Sequence, residues 1–314
     1  MPEPLAECAA VTKVFGRITV VDQVDLAVGP GEMVGLLGAN GAGKTTLIRM
    51  LLGLLPVSAG SVRLFGRPPS RGSRRRIGYV PQTLGLYDDL TVAENLAFSR
   101  AVFSAGSRFS AAPSARNKAV PESLRPYAGV CVRDLPLGVA RRAAFAQALE
   151  HAPELLLLDE PTSGVDPLAR SRLWETIGAA AAAGAGAIVT THNMEEAEEC
   201  SRLVVLASGR VVAAGTAAEI VGPARTAVVH AAEWAAALRR LEAAQIRAVL
   251  SGQTLRVPDR PAADVAHALA GLPARVTDEP ATLEERFFGL AAAGTPAGHS
   301  AGHSAGHSAG QAPG

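Results

Sequence analysis

A glycine-rich loop near the N-terminus carries the strongest chemical signal in the sequence. It reads Gly-Ala-Asn-Gly-Ala-Gly-Lys-Thr over residues 38–45 and matches the phosphate-loop pattern G-x-x-x-x-G-K-[ST]. An apolar run, Met33–Leu37, precedes the loop, and an amphipathic stretch begins at Thr45. Glycines let successive backbone N–H groups face phosphate oxygens, and the start of a helix adds favourable partial charge. The predicted phosphate-binding residues are Gly38, Ala39, Asn40, Gly41, Ala42, Gly43, Lys44, Thr45 and Thr46.

The last two residues of the pattern have side chains suited to a nucleotide. Lys44 is expected to reach the β- and γ-phosphates, and the Thr45 hydroxyl is expected to coordinate Mg²⁺. The chain has lysine only at positions 13, 44 and 118. A lysine inside the glycine-rich loop of so lysine-poor a chain favours a functional role.

A second chemical pattern lies much later in the chain, where Leu155–Leu158 precede Asp159 and Glu160. Four apolar residues predict a buried strand that ends in two carboxylates. Asp159 is expected to hold Mg²⁺ through water, which leaves Glu160 to polarise the attacking water as a general base. Core strands often end in an acidic residue, so this pattern depends on the phosphate loop for its meaning.

The stretch from Leu155 to Pro167 reads LLLLDEPTSGVDP, and it resembles the Walker B motif and D-loop of ATP-binding-cassette (ABC) ATPases. The D-loop, which in that family crosses to the other subunit, corresponds here to the segment bounded by Ser163 and Asp166. The resemblance covers about residues 5–222. It implies ATP and Mg²⁺ as cofactors and the hydrolysis of ATP to ADP and phosphate.

Three further residues match motifs of the family in the family's order. Gln82, in Tyr-Val-Pro-Gln, resembles the Q-loop glutamine that senses Mg²⁺ and couples to a membrane partner. His192, in Ile-Val-Thr-Thr-His, resembles the switch histidine that contacts the γ-phosphate. Phe15, in Lys-Val-Phe-Gly, resembles the aromatic residue that stacks on adenine. The resemblance thus implies Glu160 and His192 as catalytic residues, and Thr45, Gln82 and Asp159 as the Mg²⁺ site.

The segment before Walker B departs from the family. ABC ATPases carry a signature close to Leu-Ser-Gly-Gly-Gln there, and in the family it closes over the γ-phosphate bound by the opposite subunit. Proline at the second position has neither a hydroxyl nor an N–H, and leucine at the third adds bulk where backbone approaches phosphate. The corresponding residues of this chain are Leu135, Pro136, Leu137, Gly138 and Val139.

Two interpretations of this segment remain open. In the first, Leu-Pro-Leu-Gly is a branch variant that still supports hydrolysis, and it resembles signatures of some drug-export ATPases of the ABC-2 type. In the second, the signature is degenerate and only one site of a mixed dimer is active. The intact Glu160 and His192 favour the first interpretation.

Residues 1–222 alternate strand-like and helix-like runs, which predicts an α/β fold. The continuous apolar runs indicate buried parallel strands, and Asp166 is predicted to cap a helix that begins at Pro167. The family resemblance adds an antiparallel β subdomain and a helical subdomain to this P-loop NTPase core. The predicted strands are Glu32–Leu37, Leu155–Asp159, Ala187–Thr191 and Arg202–Ala207, and the predicted helices are Thr45–Leu54, Pro167–Ala183 and Met194–Cys200.

The rest of the chain has a different texture. Residues 223–290 predict a small α+β module, with helices at Ala232–Ala244 and Ala262–Leu269 and a hairpin-like pair over Ala248–Val257. From residue 291 to residue 314 the unit Ala-Gly-His-Ser recurs, and this Gly/His/Ser/Ala-rich tail is predicted to be disordered. Metal binding by His299, His303 and His307 is the alternative to a solvated tail.

Three segments bear on what the protein contacts. Ser99–Asp134 lacks helical periodicity, so irregular structure is expected where the family's helical subdomain receives its membrane subunit. Arg71–Arg76 is interpreted as a solvated loop rather than a lipid contact. Pro280–Phe287 is similar to the P-T-L-E-x-x-F segment that is common in ABC-2 exporter ATPases.

Composition narrows the classes of partner and the location. A net charge of +1 gives no electrostatic case for nucleic acid, and three scattered cysteines fit a reducing cytoplasm. No apolar stretch reaches the ~18 residues that crossing a bilayer requires. The expected location is therefore the cytoplasmic face of the cell membrane. The expected partners are an ABC-2 type transmembrane permease and a second copy or a paralogous ATPase subunit.

Three hypotheses for function follow from the sequence. The leading one is the ATP-hydrolysing subunit of an ABC-2 exporter, whose dimer closes on ATP and moves a separate permease. A soluble ABC ATPase of DNA repair or translation is disfavoured, because the sequence shows neither a coiled-coil insertion nor a second cassette. A regulatory cassette that binds ATP without hydrolysing it is supported only by the altered signature.

Overall fold

The N-terminal part of the chain forms an antiparallel sheet of three strands. The computed structural model describes residues 3–104 and 120–293. Strand β1 (Ala6–Phe15) lies between β2 (Ile18–Val28) and β4 (Ala59–Leu64), and both pairings are antiparallel. Burial alternates along the second half of β2, because one face of this sheet packs on the core. The antiparallel β subdomain implied by the family resemblance is therefore present.

A six-stranded sheet forms the centre of the larger unit. Its order is β5-β6-β7-β3-β8-β9, and every neighbouring pair is parallel except β8 with β9. Every residue of β6 and β7 is buried, which explains why both strands are apolar up to their polar carboxyl ends. The four predicted strands are confirmed to within one residue. The strands are β3 (Met33–Gly38), β5 (Ile77–Val80), β6 (Leu155–Asp159), β7 (Gly186–Thr191), β8 (Arg202–Ala207) and β9 (Arg210–Gly215).

Helices connect these strands and cover the sheet. The helix that begins at Pro167 is capped as predicted, since the Asp166 carboxylate accepts the N–H of Ala169 at 2.9 Å. The helix predicted to end at Leu54 instead ends at Leu51, because Gly53 follows with a left-handed φ of 64°. The described helices of the larger unit before the C-terminal module are α1 (Lys44–Leu51), α2 (Arg71–Arg74), α3 (Val92–Ser104), α4 (Leu137–Leu149), α5 (Pro167–Ala182), α6 (Met194–Glu198) and α7 (Ala217–Val221).

The arginine-rich segment predicted as a loop contains a short helix, α2. Ser70 and Ser73 form a reciprocal capping box at its start. The prediction of a loop considered only the arginines of this segment and not these two serines. Arg76, just beyond it, pairs with Glu154 at 2.5 Å on the surface, and its guanidinium carbon lies 3.6 Å from the centre of the Phe65 ring.

The helical subdomain is more regular than the sequence predicted. Helix α3 (Val92–Ser104) continues through Ser99, where irregular structure was expected, and α4 covers Leu137–Leu149. The helical face that packs inward includes Asn95 and Ser99, which are only 1% and 4% exposed. These buried polar residues interrupt the apolar stripe, so the helical periodicity was missed. Two 3₁₀ turns, Glu122–Tyr127 and Val132–Asp134, follow, whereas residues 105–119 lie outside the described part.

The C-terminal module has the order strand, helix, strand, strand, helix, strand. Its sheet order, β11-β12-β10-β13, and its antiparallel pairings give a ferredoxin-like split βαβ arrangement. The predicted α+β character is confirmed. Its elements are β10 (Arg225–Ala231), α8 (Trp234–Ala243), β11 (Val249–Ser251), β12 (Thr254–Pro258), α9 (Ala262–Ala268) and β13 (Ala274–Pro280).

The last helix returns from the module to the larger unit. Helix α10 (Leu283–Ala293) buries Leu283 and Phe287 in the same apolar cluster as Leu203 and Ile220. The first residues assigned to the disordered tail are therefore helical as far as Ala293, and residues 294–314, with the three repeat histidines, lie outside the described residues. Within the described ranges, no helix combines the length and apolar character needed to cross a bilayer.

Candidate functional site

The glycine-rich loop connects the end of β3 to the start of α1. Gly43 has a φ of 102°, and a Cβ atom there would lie 2.7 Å from the carbonyl oxygen of Val20. A Cβ atom on Gly38 would lie 2.8 Å from the carbonyl oxygen of Leu206. Both positions therefore require glycine, one for its backbone conformation and both for the close approach of neighbouring backbone.

Lys44 and Thr45 stand where the motif predicts them, at the first turn of α1. The Lys44 side chain is 5% exposed, donates from Nζ to the carbonyl oxygen of Gly38 at 2.7 Å, and lies 3.5 Å from Glu160 Oε1. Thr45 donates its hydroxyl to Asp159 Oδ1 at 3.2 Å. A cavity of about 320 Å³ is lined by Val20, Gln82, Glu160 and residues 40–46 of the loop.

The two carboxylates at the end of β6 have different surroundings. Asp159 is 1% exposed and accepts hydroxyl donors from Thr45 and from Thr190 at 2.7 Å, its neighbour in the β6–β7 register. Glu160 follows with a left-handed φ of 47°, and its backbone N–H donates to Thr190 Oγ1 at 2.8 Å. This sparsely populated conformation turns the Glu160 side chain out of the strand and toward the cavity.

Glu160 contacts side chains from three of the predicted groups of site residues: catalytic, phosphate-binding and Mg²⁺-binding. Its Oε2 lies 3.4 Å from Gln82 Nε2 and 3.5 Å from His192 Nδ1, while its Oε1 faces Lys44. The Glu160 side chain is 11% exposed and that of His192 is 56% exposed. A water molecule that contacts Glu160 would therefore approach its carboxylate from the cavity that the phosphate loop lines.

The residues predicted to hold Mg²⁺ form a suitable donor set. The Thr45 hydroxyl and the Asp159 carboxylate are in contact, and the Gln82 amide contacts the neighbouring Glu160. Hydroxyl, carboxylate and amide oxygens are the hard donors that Mg²⁺ prefers, in a coordination sphere completed by phosphate and water. The side chains present at this position fit that ion.

The predicted adenine-stacking and signature residues lie apart from this cluster. Phe15, at the end of β1, is 47% exposed, and the Lys13 ammonium lies 5.0 Å above its ring. It is not among the described residues that line the phosphate cavity, although Val20 of the same hairpin is.

The signature segment leads into α4 and borders the D-loop of the same chain. Pro136 occupies the N-cap position without a side-chain hydrogen bond, and Leu137 is 41% exposed. A Cβ atom on Gly138 would lie 3.5 Å from Asp166 Oδ2, so the two segments are close neighbours. Within the described part of the chain, residues 135–139 contribute nothing to the phosphate cavity.

Two residues that no motif indicated help to build the site. Thr190 donates to Asp159 and accepts from the backbone N–H of Glu160. In the sequence, its position two residues before His192 is the one feature that could have indicated this role. Arg141, 5% exposed, donates to the carbonyl oxygens of Pro81 at 3.3 Å and Gln82 at 2.8 Å. Burial lowers the pKa of the Arg141 guanidinium, and the charge of Glu160 opposes that effect. Arg141 thus fixes the Q-loop backbone to the helix that follows the signature.

Comparison with known proteins agrees with this geometry. Residues 21–163 match the family model described as ABC transporter. The chain is 43% identical to the Nod factor export ATP-binding protein I of Paraburkholderia xenovorans, over 70% of this chain and 74% of that protein. It is 39% identical to the probable multidrug ABC transporter ATP-binding protein YbhF of Escherichia coli, over 68% of this chain but only 37% of that protein.

A solved structure gives the same fold. The structure of an ATP-binding subunit of an ABC transporter superposes with a TM-score of 0.61 at 31% identity, over 69% of this chain and 91% of that one. Identity of this extent over two thirds of both sequences establishes the family. This chain therefore belongs to the ABC transporter family and is an ATP-binding subunit of that family, an ATPase.

Proposed function

We propose that this chain is the ATP-hydrolysing subunit of an ABC-2 type export complex, in which ATP-driven closure of a dimer moves a separate transmembrane permease. The observation that carries the proposal is the meeting of Lys44, Gln82 and His192 on Glu160, within 3.5 Å of its carboxylate oxygens. The chain would act at the cytoplasmic face of the cell membrane, bound to that permease. Drugs or other exported molecules would contact the permease rather than this subunit.

The proposed chemistry assigns one task to each side chain. The phosphate loop and Lys44 bind the β- and γ-phosphates, and Glu160 takes the proton of the attacking water as general base. His192 contacts the γ-phosphate and, at 3.5 Å from Glu160, holds the base in place. Mg²⁺, held by Thr45, Asp159 and Gln82, would neutralise phosphate charge when bound.

The export branch is supported by the C-terminal segment and by the relatives. Pro280–Phe287 is similar to the closing segment of ABC-2 exporter ATPases, and one relative is named for Nod factor export. In the structure this segment begins α10, whose Leu283 and Phe287 pack on the ATPase core. The module that carries it is therefore attached to the core through apolar burial as well as through the chain.

A second candidate function is a degenerate cassette that hydrolyses ATP weakly or not at all, in a heterodimer or as a regulator. Pro136 favours it, because the N-cap of α4 lacks the hydroxyl and N–H that the family's serine would offer to phosphate. The complete set around Glu160 favours the first candidate.

The two candidates differ in what restoring the signature does. ATP turnover by the purified chain would be compared with that of Pro136→Ser/Leu137→Gly. A functional branch variant hydrolyses ATP as it stands, and the double substitution changes the rate by less than about fivefold, or about 1 kcal/mol in barrier height. A wild type without turnover, activated by the substitution, would establish the degenerate cassette instead.

A further inference from the structure

A buried carboxylate behind the catalytic cluster has no part in the chemistry described so far. Glu196 lies in the first turn of α6, after the N-cap residue Asn193, and its side chain is 6% exposed. Removing a carboxylate from water is costly unless hydrogen bonds and charges replace the lost hydration. The groups that hydrogen-bond to Glu196 therefore indicate the role of this buried carboxylate.

Two threonine hydroxyls donate to the two oxygens of this carboxylate. Thr162 Oγ1 lies 2.5 Å from Glu196 Oε1, and Thr191 Oγ1 lies 2.7 Å from Oε2. Both threonines are buried, at 3% and 2% exposure. Arg170 places its Nε 3.6 Å from Oε1 and supplies the neighbouring positive charge. Glu196 thus accepts one hydrogen bond on each carboxylate oxygen and links the segment of Thr162 to the segment of Thr191.

The two loops are those that carry the proposed catalytic residues. Thr162 follows Glu160 by two residues in the loop after β6, and Thr191 directly precedes His192 at the end of β7. Glu160, Ser163, His192 and Glu196 line one cavity of about 100 Å³. A shift of Glu196 would therefore be transmitted to both partners of the contact between Glu160 and His192.

We infer that Glu196 is a positioning residue, which sets the spacing between Glu160 and His192 by holding Thr162 and Thr191 on opposite oxygens. The inference rests on the roles proposed for Glu160 and His192. Both carboxylate oxygens of Glu196 accept from threonine hydroxyls and one faces Arg170, so the inference assigns Glu196 no direct contact with ATP or with the attacking water.

The position requires a carboxylate rather than any polar side chain of that size. Thr191 Oγ1 already accepts the N–H of Asn193 at 2.9 Å while it donates to Glu196. A glutamine has one acceptor oxygen, so only one threonine hydroxyl could still donate to residue 196 and the other would have to accept from the amide N–H₂. Glu196→Gln therefore keeps the shape but replaces one charge-assisted link by a reversed, neutral one and removes the charge that pairs with Arg170.

The test separates positioning from folding. For Glu196→Gln, we expect kcat for ATP hydrolysis to fall by about 10- to 100-fold, the scale of a displacement of about 1 Å at a catalytic group. The dissociation constant for ATP should change less than about twofold, because the phosphate loop is untouched. Glu195→Gln is the matched control, since Glu195 is its neighbour, also faces Arg170 at 3.4 Å, and is 85% exposed. Its kcat should equal that of the wild type.

A second set of variants covers the case in which Glu196→Gln fails to fold. Thr162→Val and Thr191→Val each remove one link with little change in volume, and each should lower kcat while ATP binding is retained. Combining either with Glu196→Gln should cost less than the sum of the two effects, because they belong to one connection.

Unchanged kcat in Glu196→Gln, or in both threonine variants, would overturn the inference, as would an equal loss of kcat and ATP affinity. Glu160→Gln, measured in parallel, keeps the two proposals apart. If it hydrolyses ATP like the wild type, the role proposed for Glu160 is wrong, whatever the result at Glu196.

Discussion

At the residue scale, Asp159 and Glu160 differ in environment although they are adjacent in sequence. Asp159 remains in the strand, where the hydroxyls of the partly buried Thr45 and the buried Thr190 donate to it. Glu160 has a left-handed backbone and faces the cavity. One side chain, Thr190, serves both residues by donating to the first and accepting from the second. The different orientations of the carboxylate proposed to bind metal and the carboxylate proposed as general base therefore both depend on a threonine of the neighbouring strand.

Replacement of this threonine by valine should lower the free energy of unfolding. Thr190→Val leaves the Glu160 N–H without its acceptor and removes a donor to a buried carboxylate, with an expected loss of about 2–4 kcal/mol. Urea denaturation would measure the loss. Thr176→Val is the control, because that exposed hydroxyl donates only to the carbonyl oxygen of Arg172 in its own helix. Equal stability of the two variants would contradict the bridging role of Thr190.

The sequence predicted the site residues whose types form a spaced pattern, and it missed those that act through the fold. Residues 38–45, Asp159 and Glu160 follow directly from motif and strand pattern. Thr190, Arg141 and Glu196 have no spacing that sets them apart, and their partners come from distant segments. Their roles become visible only when the strand register and helix positions are known.

At the element scale, the contacts at the start of α10 give a structural reason for the Thr-Leu-Glu-Glu pattern of residues 282–285. Thr282 and Glu285 cap the helix reciprocally, at 3.2 and 2.7 Å. Glu285 also accepts from Arg256 at 2.6 Å and from Thr226 at 2.8 Å, which ties the helix to the module's sheet. Burial alone would raise the pKa of Glu285, but these hydrogen bonds together lower it. The helix is therefore attached to the module through hydrogen bonds and an ion pair of Glu285, and to the ATPase core through apolar packing.

Truncation of the apolar contact should destabilise the protein strongly. Phe287 is 5% exposed, so Phe287→Ala should cost about 3–5 kcal/mol of unfolding free energy through lost burial and a residual cavity. Its neighbour Phe288 is 59% exposed and provides the matched control. Phe288→Ala should cost less than about 1 kcal/mol, as surface substitutions do. Similar losses in urea denaturation for both variants would argue against docking of α10 through Phe287.

The turn after α4 contains a histidine that makes stability depend on pH. His151 stacks on Phe103 with a centroid distance of 3.8 Å, and its Nε2 lies 3.0 Å from the carbonyl oxygen of Ile77. Burial lowers its pKa below the ordinary value of 6.5, and the bond to Ile77 opposes that shift. The unfolded chain therefore binds a proton more readily, so the stability present above pH 6.5 is lost as the pH falls.

The expected result is a change in pH dependence rather than in stability alone. His151→Gln should reduce the difference in urea midpoint between about pH 8 and about pH 5.5, the range in which histidine titrates. His230→Gln, at a histidine with a 46% exposed side chain, serves as the control. If both variants keep the wild-type difference, burial of His151 is not the source of the pH dependence.

Secondary structure was predictable from the sequence wherever the buried residues are apolar and the exposed residues are polar. Strands β6 and β7 are buried along their whole length and mainly apolar, and the limits of the four predicted strands of the central sheet agree with the structure to within one residue. Irregular structure was expected from Ser99 onward, but Ser99 is a buried residue of α3, and one turn before it the buried Asn95 amide donates to three backbone carbonyls. A polar side chain that satisfies its hydrogen bonds locally can be buried, and a hydropathy pattern does not detect this.

At the scale of the whole molecule, strand order assembles the site. In the central sheet β7 lies between β6 and β3, so the carboxyl ends of these parallel strands are adjacent. The phosphate loop follows β3, Asp159 ends β6, and His192 follows β7. Binding sites of open α/β sheets form at such carboxyl ends. The sequence supplied the residues and their order along the chain, whereas the strand order determines which of them meet.

The most direct test of the account is ATP turnover by the purified chain beside Glu160→Gln, with gel filtration in the presence of ATP and Mg²⁺. The wild type should hydrolyse ATP. The variant should lose at least about 100-fold in rate, the lower range for removal of a general base, while it still binds ATP and elutes as a dimer. A variant that hydrolyses ATP at the wild-type rate would contradict the role of Glu160, and a wild type that binds ATP without turnover or dimerisation would favour the degenerate cassette.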